Sequence, residues 1–200
     1  MASAAPKLAD KILHPVVATP ENLAGYGWII GQPGGVGRDK IDFYGRDVRV
    51  TQPAPFHSNE DTCLNLVSFT ERPLSVRWME YHTKHTQTFI PLSGKPFYMV
   101  LGKPTQRRPD GGFDESRPPH PDLDDVVCFY FDGSAGLVMD VGTWHEVPFP
   151  LAGDTHFVVI CTNETNDNLE QQDEHGESCG GDLDKVRIER RFGHALVIAP

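Results

Sequence analysis

Cysteine is scarce in this chain, and its spacing pairs none of it. Cys63, Cys128, Cys161 and Cys179 are the only four in 200 residues, and no two stand close enough for a Cys-x-x-Cys metal knuckle. Cys63, Cys128 and Cys161 lie within or beside apolar, strand-like runs, where thiols pack as small hydrophobes. Reduced, buried cysteine is therefore expected rather than a disulfide framework. Long hydrophobic runs are lacking too. No stretch approaches the roughly 20 apolar residues needed to span a bilayer. The first residues, Met-Ala-Ser-Ala-Ala-Pro-Lys, do not place a positive region ahead of an apolar core as a secretory leader does. A soluble, cytoplasmic protein is expected, with no membrane partner. Positive charge is in deficit: 18 Lys and Arg against 28 Asp and Glu give a net charge of −10. Such a surface repels phosphate backbones and anionic headgroups, which excludes nucleic acid as a partner.

Proline and glycine are plentiful, at 17 and 19 residues. That many breakers argues against a helical bundle and for a sheet protein rich in turns. The length suggests one domain over 1–200. Alternating or wholly apolar runs predict strands at Gly25–Gly31, Asn65–Phe69, Leu74–His82, Phe97–Leu101, Val126–Phe131, Gly136–Asp140 and His156–Cys161. Val48–Val50 reads as another. Thr19-Pro20-Glu21-Asn22-Leu23 reads as the capped start of a short helix. The glycines of Pro33–Gly37 form a loop without the Lys-Ser/Thr of a phosphate cradle. Residues 105–122, with four prolines and adjacent glycines, read as an exposed loop or lid. Residues 163–184 are polar and acidic and read as an extended loop. Val186–Phe192 fits either a last strand or a terminal helical turn. Many short strands with little helix describe a sandwich or barrel.

The run Trp78–Gly94 carries the most chemistry. Strand alternation puts Trp78, Glu80 and His82 on one face. Gln87–Leu92 is a second strand ending in the turn Ser93-Gly94, and Asp140–His145 is the expected distant partner. The pattern resembles a cupin. Glu80-x-His82, four residues, Gln87, six residues, Gly94 stand in register with the first cupin motif, and Gly142-Thr143-Trp144-His145 with the second, about 60 residues later. The fold expected is mainly β, a cupin-type double-stranded β-helix or jelly-roll barrel with few short helices. In such a barrel Glu80, His82, Gln87 and His145 point inward together. Two imidazoles, a carboxylate and an amide oxygen suit a divalent ion such as nickel, manganese, zinc or iron. Taken singly each residue has an ordinary role: Glu80 a solvated carboxylate, the histidines core or surface imidazoles, Gln87 a hydrogen-bonder. His85 falls in the turn and is expected at the rim, a competing ligand. Lys84, in the same turn, is a candidate for meeting a substrate carboxylate.

With Thr86-Gln87-x-Phe89-Ile90-Pro91-Leu92, Trp144-His145, Pro148-Phe149 and the early Gly25–Ile30 segment, the chain resembles the ureidoglycolate lyases over roughly residues 20–165. The resemblance implies a lyase that splits (S)-ureidoglycolate into glyoxylate and urea. It implies a homodimer and a divalent metal, nickel foremost, on Glu80, His82, Gln87 and His145. Where members carry a basic segment before Trp-His, this chain has Met139-Asp140-Val141. His85, Lys84 and Asp140 are candidates for the catalytic acid or base, and Arg46 and Arg72 for carboxylate clamps. The alternatives are a metal cupin acting as isomerase, hydrolase or oxygenase on another small hydroxy acid or amide, or a non-catalytic small-molecule binder.

Overall fold

The computed structural model describes residues 9–31, 50–58, 61–110, 112, 114 and 119–200. In chain order the strands are β1 (Lys11–Leu13), β2 (Val16–Val17), β3 (Gly27–Ile30), β4 (Thr62–Phe69), β5 (Ser75–Val76), β6 (Trp78–His82), β7 (Thr88–Pro91), β8 (Phe97–Gly102) and β9 (Val127–Phe131). They continue with β10 (Gly136–Met139), β11 (Trp144–His145), β12 (Phe149–Pro150), β13 (Thr155–Thr162), β14 (Leu183–Arg187) and β15 (Leu196–Ile198). The helices are α1 (Asn163–Glu170) and α2 (Ile188–Phe192). Among the described residues, no helix is long and apolar enough to cross a membrane.

The strands form three sheets, ordered β1-β15-β5, β3-β10-β7-β13-β4 and β14-β6-β11-β8-β9-β2, with β12 also paired to β8. The mainly-β expectation holds. The sheets stack as a cupin-like sandwich and, among the described residues, do not close into a ring. The sheet carrying β6, β8 and β11 lies in the middle and buries both faces, which is why β8 reads as an unbroken apolar run. Phe97, Met99 and Leu101 join Phe89, Leu137, Met139 and Phe157 in one cluster. Tyr98 and Val100 join Met79, Trp144, Val186, Leu196 and Ile198 in the other. The same alternation on β6 sends Met79 and Tyr81 to the second cluster and leaves Glu80 and His82 facing the opposite way.

Three sequence expectations are corrected. Residues 163–170 are helical where an extended loop is expected, and residues 183–184 already belong to β14. α1 has no apolar stripe to advertise it. Its stability comes from polar contacts: the Thr162 side chain accepts from the Thr165 amide as N-cap, and the Asn168 side-chain oxygen accepts from the amides of Asp182 and Leu183. The second correction concerns Leu74–His82. It is two strands, β5 and β6, parted at Arg77, where the Glu146 carboxylate accepts from the amides of Arg77 and Trp78. Thr19–Tyr26 forms turns rather than a helix. The 186–192 ambiguity resolves as the end of β14 followed by α2. The described residues of 105–122 contain no helix or strand, and the base is fastened: Trp144 Nε1 donates to Thr105 Oγ1, and Thr105 Oγ1 to the His120 carbonyl. Arg46, Phe113, the Pro33–Gly37 cluster and most of the Val48–Val50 strand lie outside the described residues.

Phe157 anchors the interior. It is fully buried and meets Phe69, Phe89 and Phe97 edge-on, with ring centroids 5.7, 6.3 and 4.9 Å away. Phe157→Ala removes these contacts and leaves a cavity, so urea denaturation should show a loss of about 3–5 kcal/mol.

Candidate metal centre

Strand pairing carries two distant stretches to one place. β11 runs antiparallel to β6, with His145 directly opposite Glu80. The turn before β11 is held against the end of β6, where the Gly142 amide donates to the His82 carbonyl at 2.8 Å. Gly142 has φ +88°, a conformation that glycine takes without strain and other residues rarely adopt. Trp144 and His145 then diverge to opposite faces, the indole into the core beside Tyr81 at 4.4 Å between ring centroids, the imidazole toward Glu80.

Glu80, His82 and His145 each place a ligand-type atom within 4.8 Å of the others, and all three are buried. His145 Nε2 stands 3.5 Å from Glu80 Oε1. The His145 Nδ1 sits 3.1 Å from the Thr143 carbonyl; that carbonyl can only accept, so Nδ1 carries the proton and Nε2 presents a lone pair. His82 Nδ1 lies 3.4 Å from Thr165 Oγ1. His82 Nε2, His145 Nε2 and Gln87 Oε1 are buried without a hydrogen-bond partner. Buried polar atoms left unsatisfied cost stability. Two imidazoles with unspent nitrogens beside a buried carboxylate are the set a divalent ion takes. The residues therefore fit the group. Gln87 is buried just ahead of β7, and its backbone carbonyl accepts from Met139.

His85 departs from its expected rim position. It is 1% exposed and is pulled inward by Asp182, whose Oδ2 lies 2.7 Å from His85 Nδ1. Its backbone bridges to Ser58 on the other side. His82, His85 and Asp182 form a second buried group with ligand atoms within 4.8 Å, so His82 belongs to both. Asp182 is fully buried and richly held. Its Oδ2 accepts from Thr162 and, at 3.1 Å, from Thr165, and its Oδ1 accepts from the Lys84 amide at 2.8 Å. Asp182 and Lys185 are the residues that sequence reasoning missed. Lys185 stands opposite Glu80 on β14, with Nζ 3.6 Å from Glu80 Oε2. The only signal was alternation, which would have put Lys185 on the Glu80 face had β14 been recognised.

The remaining candidates sit elsewhere. The Lys84 ammonium pairs with Glu164 on α1. Asp140 is half-buried on the turn leading to Gly142, and burial, partly offset by Arg107, raises its carboxyl above the usual range. Arg72 is spent on structure: it donates to the Val147 and Pro148 carbonyls and lies 4.2 Å over the Phe149 ring.

A family profile described as ureidoglycolate lyase matches residues 10–179, most of the chain. The chain belongs to the ureidoglycolate lyase family. Among its relatives are the ureidoglycolate lyase of Azotobacter vinelandii, 32% identical over 99 residues (50% of this chain, 52% of that protein), and ureidoglycolate lyase 2 of Rhizobium meliloti, 30% identical over 99 residues (50% and 52%). The ureidoglycolate lyase of Pseudomonas fluorescens is 30% identical over 101 residues (50% and 53%). The chain thus spans about half the length of the curated relatives it matches.

In this family member the site's ionisation carries a stability consequence. Burial, reinforced by the neighbouring His85 and His145, depresses His82 from 6.5 to about 3. Burial pushes Glu80 up, but the neighbouring His145 and the Lys185 ammonium outweigh it and hold Glu80 at about 2. For metal-free protein both shifts have the same sign. Between pH 6.5 and 3 the unfolded chain binds a proton at His82 that the folded one refuses, and between pH 4.5 and 2 the same holds at Glu80. The melting temperature of chelator-treated protein should fall as pH drops below about 6.5 and more steeply below 4.5. In His82→Gln the first of these two declines should flatten.

Proposed function

We propose that this protein is a metal-dependent carbon–nitrogen lyase that splits ureidoglycolate, or a closely related carbinolamine acid, into glyoxylate and urea. The observation that carries the reading is the buried Glu80–His82–His145 group, with unspent imidazole nitrogens, inside a chain whose residues 10–179 match the ureidoglycolate lyase profile. Glu80, His82 and His145 would hold the ion, with Gln87 Oε1 as the fourth donor. Nickel is first among the candidates, followed by manganese, zinc and iron. A divalent ion bound there supplies Lewis-acid chemistry, lowering the pKa of a coordinated hydroxyl as it does that of bound water.

The protein's own groups divide the remaining work. His85 is the base of choice. Asp182 lies against its Nδ1 and leaves Nε2, buried and without a hydrogen-bond partner, to receive the substrate hydroxyl proton. As the carbonyl forms, the carbon–nitrogen bond breaks and the electron pair leaves with nitrogen. His85 returns the same proton to that nitrogen, so glyoxylate and neutral urea depart with no net proton change. Lys185, beside Glu80 at the site's edge, is placed to attract the substrate carboxylate. Asp140 borders the turn that carries Gly142 and is the second candidate acid or base after His85. Lys84, paired with Glu164, fixes the turn to α1. A homodimer is the proposed assembly, supported by Leu64 and Leu66, which stand exposed side by side on one face of β4.

Purified protein should contain a divalent metal by elemental analysis and release glyoxylate and urea from (S)-ureidoglycolate. His82→Ala should lose both metal and turnover; wild-type turnover in that variant would remove the proposed metal role. Thr165→Val, which takes away the partner of His82 Nδ1, should weaken metal affinity by roughly 10–100-fold while leaving the fold intact. Bound iron with oxygen consumption and no urea would favour an oxygenase instead.

A further inference from the structure

We propose that Cys63 and Cys161 form a redox-active dithiol, a modification site at which a peroxide closes the two thiols into a cross-strand disulfide. The pair stands apart from the groups that the lyase chemistry uses and does not depend on that reading. Cys63 on β4 is the direct partner of Cys161 on β13 in an eight-residue antiparallel register. Residues so opposed have Cα atoms roughly 4.5–5.5 Å apart, within the roughly 4.4–6.8 Å span of disulfides. The two sulfurs already face each other at 3.6 Å. Closing that gap to the bond length of about 2.05 Å needs side-chain rotation rather than strand movement.

The surroundings are polar and specific to the sulfurs. Asn65 Nδ2 lies 3.7 Å from Cys63 Sγ and 3.2 Å from Cys161 Sγ. Asn166 Nδ2, from α1, lies 3.2 Å from Cys63 Sγ, and the two asparagines bond to each other at 3.1 Å. Amide donors stabilise negative charge on sulfur. The two cysteines differ in access, which assigns their roles. Cys63 is half-buried, whereas Cys161 is 2% exposed, and burial together with the neighbouring Cys63 pushes the Cys161 thiol up to about 12. Cys63 is therefore the sulfur a peroxide reaches, and Cys161 the one that resolves it.

The steps balance. The Cys63 sulfur attacks one peroxide oxygen, the oxygen–oxygen bond breaks, and the leaving hydroxide takes the thiol proton as water, leaving a sulfenic acid. The Cys161 sulfur then attacks the Cys63 sulfur, the sulfur–sulfur bond forms, and the hydroxyl departs with the Cys161 proton as a second water. Two thiols are oxidised and one peroxide is reduced to two waters. Cys161 immediately precedes Thr162, the N-cap of α1 and a donor to Asp182. Closure would thus draw Cys63 away from Asn166 beside the corner that supports His82 and His85.

The test treats the folded, full-length protein with hydrogen peroxide, followed by non-reducing peptide mapping and thiol titration in denaturant. Titratable thiols should fall from four to two, with a peptide joining Cys63 to Cys161 that dithiothreitol releases. Cys161→Ser should stop at a Cys63 sulfenic acid, trapped by a 1,3-dione probe. Cys63→Ser should leave Cys161 unoxidised at the same dose. The proposal is overturned if wild type yields no joined peptide, or if Cys63 runs on to sulfinic acid equally fast with and without Cys161. Unchanged melting curves for the reduced serine variants exclude misfolding as the cause.

Discussion

Burying the carboxylates of Glu80 and Asp182 is the constraint around which this fold is arranged. Glu80 and Asp182 are buried beside two clusters that are aromatic and aliphatic. An uncompensated charge there would cost several kcal/mol even after relaxation. Each is compensated by a different device. Glu80 has cationic and imidazole neighbours, Lys185 and His145, delivered by the two strands that flank β6. Asp182 has hydrogen bonds: two threonine hydroxyls, a backbone amide and the His85 ring. The acid-side stability behaviour and the seating of α1 both descend from this arrangement.

The middle sheet makes the arrangement possible by giving opposite duties to its two faces. Tyr81 and Trp144 pack into one cluster while their chain neighbours Glu80, His82 and His145 face the other side. Because β6 and β11 pair directly, rigidity in the hydrophobic cluster is transmitted to the polar group without any loop between them. A site on paired strands is held more closely than one on loops, and metal affinity and proton transfer both need that. Close backbone approach contributes on the flank: a Cβ on Gly27 would stand 2.1 Å from the Val138 carbonyl oxygen, so only glycine lets β3 lie against β10.

The chemistry proposed here fits that division of labour. One group of side chains retains unspent donor atoms for an ion, and an adjoining imidazole, backed by a buried carboxylate, retains an unspent nitrogen for a proton. α1 serves both through one short stretch. Thr165 reaches His82 and Asp182, while Asn166 reaches the Cys63 side of the Cys63–Cys161 pair. A helix without an apolar face thus earns its place through polar contacts alone.

Much of this was legible in the residues themselves. Period-two alternation in Trp78–His82 determined that Glu80 and His82 share a face, and the apolar run Phe97–Leu101 determined a strand buried on both sides, because side-chain direction along a strand is a local property of the pleat. The spacing of Gly142 and His145 pointed to the second half of the group for the same reason, since a left-handed turn needs its glycine at one position. What only the tertiary structure decided was everything that depends on partners distant in sequence. His85 faces inward because Asp182, nearly a hundred residues away, pulls it there. Lys185 reaches Glu80 because β14 pairs with β6 in one register. α1 forms because a threonine cap and an asparagine amide find their partners. Hydrogen bonds and ion pairs of this kind leave no periodic trace in a sequence; they exist only once strand order has set which distant residues meet.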